Sequence, residues 1–384
     1  MSTERNMAIA GNRLHLIEEG PDRLVTLLRV INEAQRQLCL YFYIFAGDGA
    51  GERVRAALIE ARRRGVAVTL MIDAFGSGST AGAFFAPLED AGARFGRFGT
   101  RRSTRYLIRN HQKMVIADGE RAVIGGFNVE DGYFAGSDDG DRWCDLALMI
   151  EGPAVAQLQG WYDGLAHWVL DSPQRFRALR RLVRHWPVQD GPLQWLMGGP
   201  TQRLSSWARR VKADLHHGQR LDMIAAYFSP GRGMLRRITR IAGRGGARLI
   251  VPLYSDNMMT VGAARHLYAR MIRRGVALYE YESSRLHIKL IVVDDVVYVG
   301  SANFDKRSLF LNVELMLRIE DAAFAEAARE LVMRREKESR RIDREAYRAL
   351  SGPVAQLRWL ISYLIVGVVD YTVTRRLNFR DEPR

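Results

Sequence analysis

The sequence predicts an α/β protein made of two fused α/β/α halves related by a pseudo-twofold, with a site at their interface. Three observations carry this. The chain has 384 residues, 47% of them hydrophobic, enough for two domain-sized cores. Strand-like and helix-like runs alternate along it, the pattern of parallel βαβ units. The same order of runs also occurs twice.

In the first half "QLCLYFYIFAGD" is an apolar, β-rich run, "ERVRAALIEARRRGV" is helical, and "AVTLMIDAFGS" is a second strand. The second half repeats them as "LDMIAAYFSPGR", "MLRRITRIAGRGG" and "ARLIVPLYSDN". "FAPLEDAGARFGRFG" then matches "YARMIRRGVALYEY", and each half reaches a His-x-Lys run. Tyr43 and Tyr227 lie 184 positions apart, Gly92 and Gly275 183, His111 and His287 176. Past the motifs "CDLALMIE" parallels "VELMLRIE", which puts Asp145 opposite Glu314. A fused duplication explains these offsets, and sites in such proteins form where the halves meet.

Residues 1–170 are read as the first half, 171–215 as a linker, 216–350 as the second half and 351–384 as an apolar, basic tail. The linker holds three Trp and nine Lys or Arg residues. Within it Phe176, Leu179, Val183 and Trp186 share a helical face with arginines opposite, which suits either a membrane-interface helix or one docked on the core. The tail carries "WLISYLIVGVV" (Trp359 to Val369), eleven uncharged residues. That is too short for a span, which needs ~20, but long enough to lie in an interface.

The formal charge of +14 implies an anionic partner, and does not choose among nucleic acid, an acidic membrane and a phosphorylated substrate. Cys39 and Cys144 lie in apolar runs and read as buried thiols of a reducing compartment. The N-terminus has early charges and no apolar h-region, so no signal peptide is expected and the chain is expected to be cytoplasmic.

Lysine usage marks the chemistry. The chain has five lysines, at 113, 212, 289, 306 and 337, against 57 Lys and Arg together. Two of them stand in one pattern, "HQKMVIADGERAVIGGFN" and "HIKLIVVDDVVYVGSAN". His-x-Lys in extended chain puts both side chains on one face. Glycines (Gly125 and Gly126; Gly300) then permit close approach, and Asn128 and Asn303 bring an amide. Doubled and facing, these groups suit a phosphodiester: two cations and two amides for the anionic oxygens, one histidine on each side of phosphorus. No carboxylate or cysteine cluster has metal-ligand spacing, so no metal or cofactor is expected.

Both motifs, HxKxxxxD followed by G(S/G)xN, resemble the phospholipase D superfamily. "ARRRGVAVTLMIDAFGS", "WCDLALMIEGPAVAQLQGWYDGLAHW", "YFSPGRG" and "GSANFDKRSLFLNVEL" look like the bacterial cardiolipin synthases. The resemblance covers about residues 12–320 and implies metal-independent phosphatidyl transfer through a phosphohistidine. It implies two phospholipase-D-like domains, with His111, Lys113 and Asp118 and His287, Lys289 and Asp294 as the catalytic triplets. Within these, Asp118 and Asp294 hold the motif's own loop. It makes His111 the nucleophile and His287 the acid and base, a choice the residues alone do not make. Asn128, Asn303, Gly126 and Ser301 would bind phosphate, and the acid downstream of each motif would orient that motif's own histidine, Asp145 for His111 and Glu314 for His287. Gly126 stands where the second motif has Ser301, so one hydroxyl donor to phosphate is missing.

The expected function is cardiolipin synthesis, with phosphatidylglycerol as donor and acceptor. The expected partners are phospholipids and an anionic membrane at its cytoplasmic face, not nucleic acid. Two alternatives stand beside it: a phosphodiesterase of the superfamily hydrolysing lipid or nucleic acid, and a catalytically dead membrane-binding module.

Overall fold

A computed structural model describes residues 6–99, 108–136, 142–201 and 204–366. The chain opens with the hairpin β1 (Met7–Ile9) and β2 (Asn12–Ile17). Helix α1 (Gly20–Asn32) leads to β3 (Gln37–Phe42), α2 (Gly49–Arg63) to β4 (Ala67–Asp73), and the short α3 (Ala86–Asp90) to β5 (Arg94–Phe98). Strands β3, β4 and β5 are parallel, as the βαβ pattern predicts. β3 is an apolar run because the sheet is covered on both faces. The hairpin β6 (Met114–Ala117) and β7 (Arg121–Gly125) returns antiparallel to β3. Then come α4 (Asp131–Phe134), β8 (Trp143–Cys144), β9 (Ala147–Glu151) and α5 (Ala154–Leu170).

Helix α6 (Phe176–Arg184) crosses to the second half, which begins with β10 (Leu193–Gly198), α7 (Ser206–His217), β11 (Leu221–Ala225) and β12 (Phe228–Ser229). It continues with α8 (Arg232–Ala242), β13 (Ala247–Pro252), α9 (Met258–Arg273), β14 (Ala277–Tyr281), β15 (Arg285–Leu286) and β16 (Lys289–Val293). The remaining elements are β17 (Val296–Gly300), β18 (Phe304–Asp305), α10 (Lys306–Phe310), β19 (Glu314–Glu320) and α11 (Ala322–Lys337). β20 (Ser339–Arg341), α12 (Arg344–Leu350) and α13 (Pro353–Leu364) follow.

The two eight-stranded sheets run β1-β2-β9-β7-β6-β3-β4-β5 and β10-β19-β17-β16-β11-β13-β14-β20. Seven strands correspond one to one, from β2 with β10 to β5 with β14, and each sheet adds one edge strand, β1 or β20. The layers alternate helix, sheet, helix, sheet, helix. Outer helices pack Leu27, Val54 and Leu58 on the first sheet, and Val211, Ile238 and Tyr268 on the second. Between the sheets, Leu158, Trp161 and Leu165 of α5 meet Phe324, Ala328 and Leu331 of α11 in one core shared by both halves.

Residues 171–215 are more than a linker. β10 lies inside this range and is the counterpart of β2, so the second half begins near Leu193 rather than at 216. All six residues of β10 are buried, which erases the period-two signal that would have shown it. The amphipathic helix α6 turns Phe176, Leu179 and Val183 into the core, and Trp186 meets Trp161 edge-on at 5.4 Å. Of its two readings, docking on the core is the one adopted. The tail divides: α13 is described and packs on α9, whereas 367–384, including the end of the expected apolar run, lie outside the described residues. Among the described residues no helix is long and apolar enough to cross a membrane. Cys39 and Cys144 are buried free thiols.

Candidate active site

Because β6 runs antiparallel to β3, and β16 to β11, the residues that lead into β6 and β16 sit at the carboxyl ends of the parallel strands. Ligand sites of open α/β sheets form at those ends. His111 and His287 lie there, in extended chain just before the strands rather than within them. Each is stitched to the opposite half: the His111 N–H donates to the Val313 carbonyl (2.8 Å) and the His287 N–H to the Cys144 carbonyl (2.7 Å). The β15–β8 pairing continues the second of these contacts.

The orienting carboxylates also cross between halves, which corrects the expectation that each serves the histidine of its own motif, because the halves pack face to face. Asp145 of the first half accepts from His287 Nδ1 at 2.7 Å, and its other oxygen takes the Leu146 N–H. Glu314 of the second half approaches His111 Nδ1 only to 3.4 Å, and that nitrogen donates instead to the Ser301 carbonyl at 3.1 Å. Both acceptors lack protons, so each imidazole carries its proton on Nδ1 and presents the Nε2 lone pair. Burial, and then a nearby lysine, depresses both histidines to about 4.

Lys113 donates to the His111 carbonyl (2.8 Å) and Lys289 to the His287 carbonyl (2.5 Å). Both are buried, and each motif's histidine feels the other motif's lysine, so the two motifs share one electrostatic site. Burial lowers Lys113 well below the usual lysine range and brings Lys289 to about 8.

Asn128 is buried behind the first motif, giving its amide to Tyr133 Oη (3.1 Å) and accepting from the Ile44 N–H (3.2 Å). Asn303 is buried with an unpartnered Oδ1. Carboxamide oxygen and nitrogen interchange with no change of shape, so an anion can be met by the amide donor at that position.

Two groups of expected residues do other work. Asp118 and Asp294 lie beyond the far ends of β6 and β16, where they accept from the Arg36 N–H (2.7 Å) and the Arg220 N–H (2.8 Å). Their φ values of 58° and 49° suit tight hairpin turns. They staple the turns to the neighbouring strands, the loop-holding work expected of them, and take no part at the histidines, which removes them from the catalytic triplets.

The Ser301 hydroxyl is not free for phosphate either. It donates to Glu314 (2.6 Å) and accepts the Leu315 N–H (3.0 Å). Gly126 has a matching steric reason: a Cβ there would stand 2.5 Å from Asp145 Oδ1. Glycine therefore leaves Asp145 room to hold His287, while the Ser301 hydroxyl shares with His111 the one Glu314 oxygen that faces both. Gly126→Ser should push the Asp145 carboxylate off His287 and lower kcat by about 10²-fold with little change in KM, since general acid–base help is worth ~10²–10⁴. Steady-state kinetics on dispersed lipid checks this, and a near-normal kcat would show that Asp145 can move without cost.

Sequence reasoning missed the aromatic and arginine shell. Tyr43 meets His111 edge-on at 4.8 Å, while Tyr133 and Trp143 each meet His287 at 5.3 Å. The buried Arg23 donates to the carbonyls of Asp145 (2.6 Å), Tyr133 (2.7 Å) and Glu18 (2.6 Å), holding the segment that carries Trp143 and Asp145. Only Tyr43 had a signal, its alignment with Tyr227 in the duplication. Among the described residues no group of His, Cys, Asp or Glu could hold a metal ion.

Two crossed histidine–lysine motifs between duplicated α/β halves define a protein of the phospholipase D superfamily. The family model described as cardiolipin synthase, PLD-like domain matches residues 27–164 and 212–335, and the chain belongs to this family of phosphatidyltransferases. Cardiolipin synthase A of Pseudomonas syringae pv. syringae (strain B728a) is 31% identical over 361 residues, 87% of this chain and 73% of that protein. The major cardiolipin synthase of Bacillus subtilis (strain 168) is 30% identical over 329 residues, 82% of this chain and 67% of that protein. The crystal structure of phosphatidylserine synthase from Haemophilus influenzae Rd KW20 matches with a TM-score of 0.72 at 14% identity, covering 94% of each chain. Polyphosphate kinase from Porphyromonas gingivalis matches at 0.57 and 14% identity, over 87% of this chain and 49% of that one. The two structural matches show the fold alone.

Proposed function

We propose that this protein makes cardiolipin and glycerol from two molecules of phosphatidylglycerol, through a phosphatidyl group carried on His111. The observation that carries the reading is the unequal tethering of two otherwise matched histidines. His111 Nδ1 donates to a neutral carbonyl at 3.1 Å and keeps Glu314 at the longer 3.4 Å, the looser tether, which suits a ring that stays neutral and attacks through Nε2. His287 Nδ1 faces a carboxylate at 2.7 Å, which suits a ring that gains and loses a proton.

The free site balances two lysines against Asp145 and Glu314. Binding a phosphodiester adds one negative charge, which raises the proton affinity of His287 above its free-enzyme value. His111 Nε2 then bonds to phosphorus as the P–O bond to glycerol breaks, and the His287 proton passes to the departing oxygen. A second phosphatidylglycerol gives its hydroxyl proton to His287, its oxygen bonds to phosphorus, and the P–N bond breaks. Lys113, Lys289 and the Asn303 amide would stabilise the non-bridging oxygens throughout. Asn128, already hydrogen-bonded, would hold Tyr133 beside His287.

Mass spectrometry of products from defined liposomes tests the reading. Cardiolipin and glycerol should form in equal amounts, with EDTA present and no nucleotide added. Phosphatidic acid as sole product would make the protein a hydrolase. Cleavage of DNA without lipid turnover would make it a nuclease.

A further inference from the structure

We propose that α13 and the loops after β4 and β13 form one bilayer-docking face that holds the two histidines at the lipid surface. The claim rests on the phosphatidyl-transfer reading above, and it assigns the surface by which the chain would meet its substrate.

Helix α13 is apolar on both sides. Trp359 and Ser362 are buried, with Ser362 and Trp359 against Gly262 of α9 and Tyr363 stacked on His266 at 4.8 Å. Val354, Leu357, Leu360, Ile361, Leu364 and Ile365 point outward, from 38% to 83% exposed. Their spacing of three, three, one, three and one makes a single stripe along the helix, and exposed Arg358 stands beside it. No described element covers the stripe. A soluble surface scatters such residues singly, whereas a continuous stripe marks a contact surface.

The stripe does not stand alone. Among the other exposed large hydrophobic residues, Tyr254, Met258 and Met259 lie in the β13–α9 loop and the first turn of α9, the helix on which α13 packs. Asp256 of that loop accepts from Tyr227 (2.6 Å), whose ring lies 6.4 Å from His287. Phe75, 50% exposed, lies in the β4 loop that is the duplication counterpart, and the Arg109 guanidinium sits 4.0 Å over its ring. Asp73, two residues earlier, accepts from the Asn110 N–H beside His111 (2.8 Å). Both loops leave the carboxyl ends of parallel strands, the same ends that carry the histidines. Among the described residues, Val25 and Met333 are the exposed large hydrophobics that lie elsewhere.

A lipid surface fits this face better than a protein partner. The stripe is aliphatic and has a cation at its edge, the arrangement of a helix lying in the headgroup boundary. The chain's charge of +14 complements an anionic bilayer. The buried lysines need a phosphodiester to descend to them, and a docked face would let the acyl chains stay in the membrane while it does so.

The test uses the full chain with Leu357, Ile361 and Leu364 each changed to Asn, leaving Trp359 and Ser362 on α9 untouched. Co-sedimentation with phosphatidylglycerol–phosphatidylcholine vesicles at high salt should fall at least tenfold. Turnover of dispersed short-chain phosphatidylglycerol and the thermal midpoint should stay near wild type. A dye on Leu360→Cys, selective because both native cysteines are buried, should be quenched by brominated lipid, and one on Met333→Cys of α11 should not. Equal vesicle binding by the triple variant overturns the proposal. A wild-type dimer that the variant turns into a monomer, with vesicle binding unchanged, overturns it in favour of a second copy. Wild type that binds vesicles through this face yet yields no lipid product leaves the surface standing and removes the functional reading instead.

Discussion

His111→Ala should form no covalent lipid adduct and should lose turnover by on the order of 10⁴-fold or more, because nothing remains to bond phosphorus. His287→Ala should behave differently. Its nucleophile is intact, and a phosphatidyl ester of p-nitrophenol needs little protonation to release its leaving group. The second step still lacks a base, since the incoming hydroxyl must lose a proton to attack. Labelled phosphatidyl-enzyme should therefore accumulate in His287→Ala, acid-labile as a P–N bond is, and be absent in His111→Ala. The tethering argues for this direction: a charged His111 has the Ser301 carbonyl at 3.1 Å and Glu314 only at 3.4 Å, whereas Asp145 at 2.7 Å holds a charged His287 more closely. Label on the first variant and not the second would keep the reaction and exchange the roles. No label on either, with wild type active, would favour direct displacement.

Lys113→Arg and Lys289→Arg should each lower kcat/KM by about 10²–10³-fold, the scale of losing one preorganised donor to a developing charge. Both lysines are buried and bend back to the carbonyl of their own histidine, so the ammonium sits as a compact charge in a space a planar guanidinium does not fit. The pH profile supplies an independent check. Burial brings Lys289 to about 8, so raising the pH through that value removes its charge, and wild-type kcat/KM should fall there. An arginine at 289 stays charged, so any fall left in that variant should come from Lys113 and not from position 289. Near-normal turnover in both variants would mean that any cation serves, and the chain's use of lysine here would need another reason.

How much of this was legible in the chain divides along a physical line. The duplication, the parallel βαβ units and the two His-x-Lys motifs are local or periodic features, and a sequence displays those directly. β10 was hidden because a strand buried on both faces has no alternation, and the polar residues around it look like a linker. The amphipathic face of α6 was visible, but a membrane and the Trp161 side of the core reward such a face equally, so the pattern did not decide between them. Asp118 and Asp294 show the opposite limit. They belong to the motif by spacing, yet a strand of about five residues carries each roughly 15 Å from its histidine, and they work as turn staples.

The inventory of the site was thus written in the order of residues: two histidines, two lysines, two asparagines and a downstream acid in each half. Which acid serves which histidine was not. Asp145 reaches His287 and Glu314 approaches His111 across the interface because the halves pack face to face, a relation with no trace in spacing along the chain. The difference between the two histidines is likewise tertiary. It comes from the space a glycine leaves for Asp145 and from a serine hydroxyl that occupies Glu314. Residue types can supply a pair of equivalent groups, but hydrogen-bond geometry within a shared low-dielectric site makes them unequal, and that inequality is what assigns the roles.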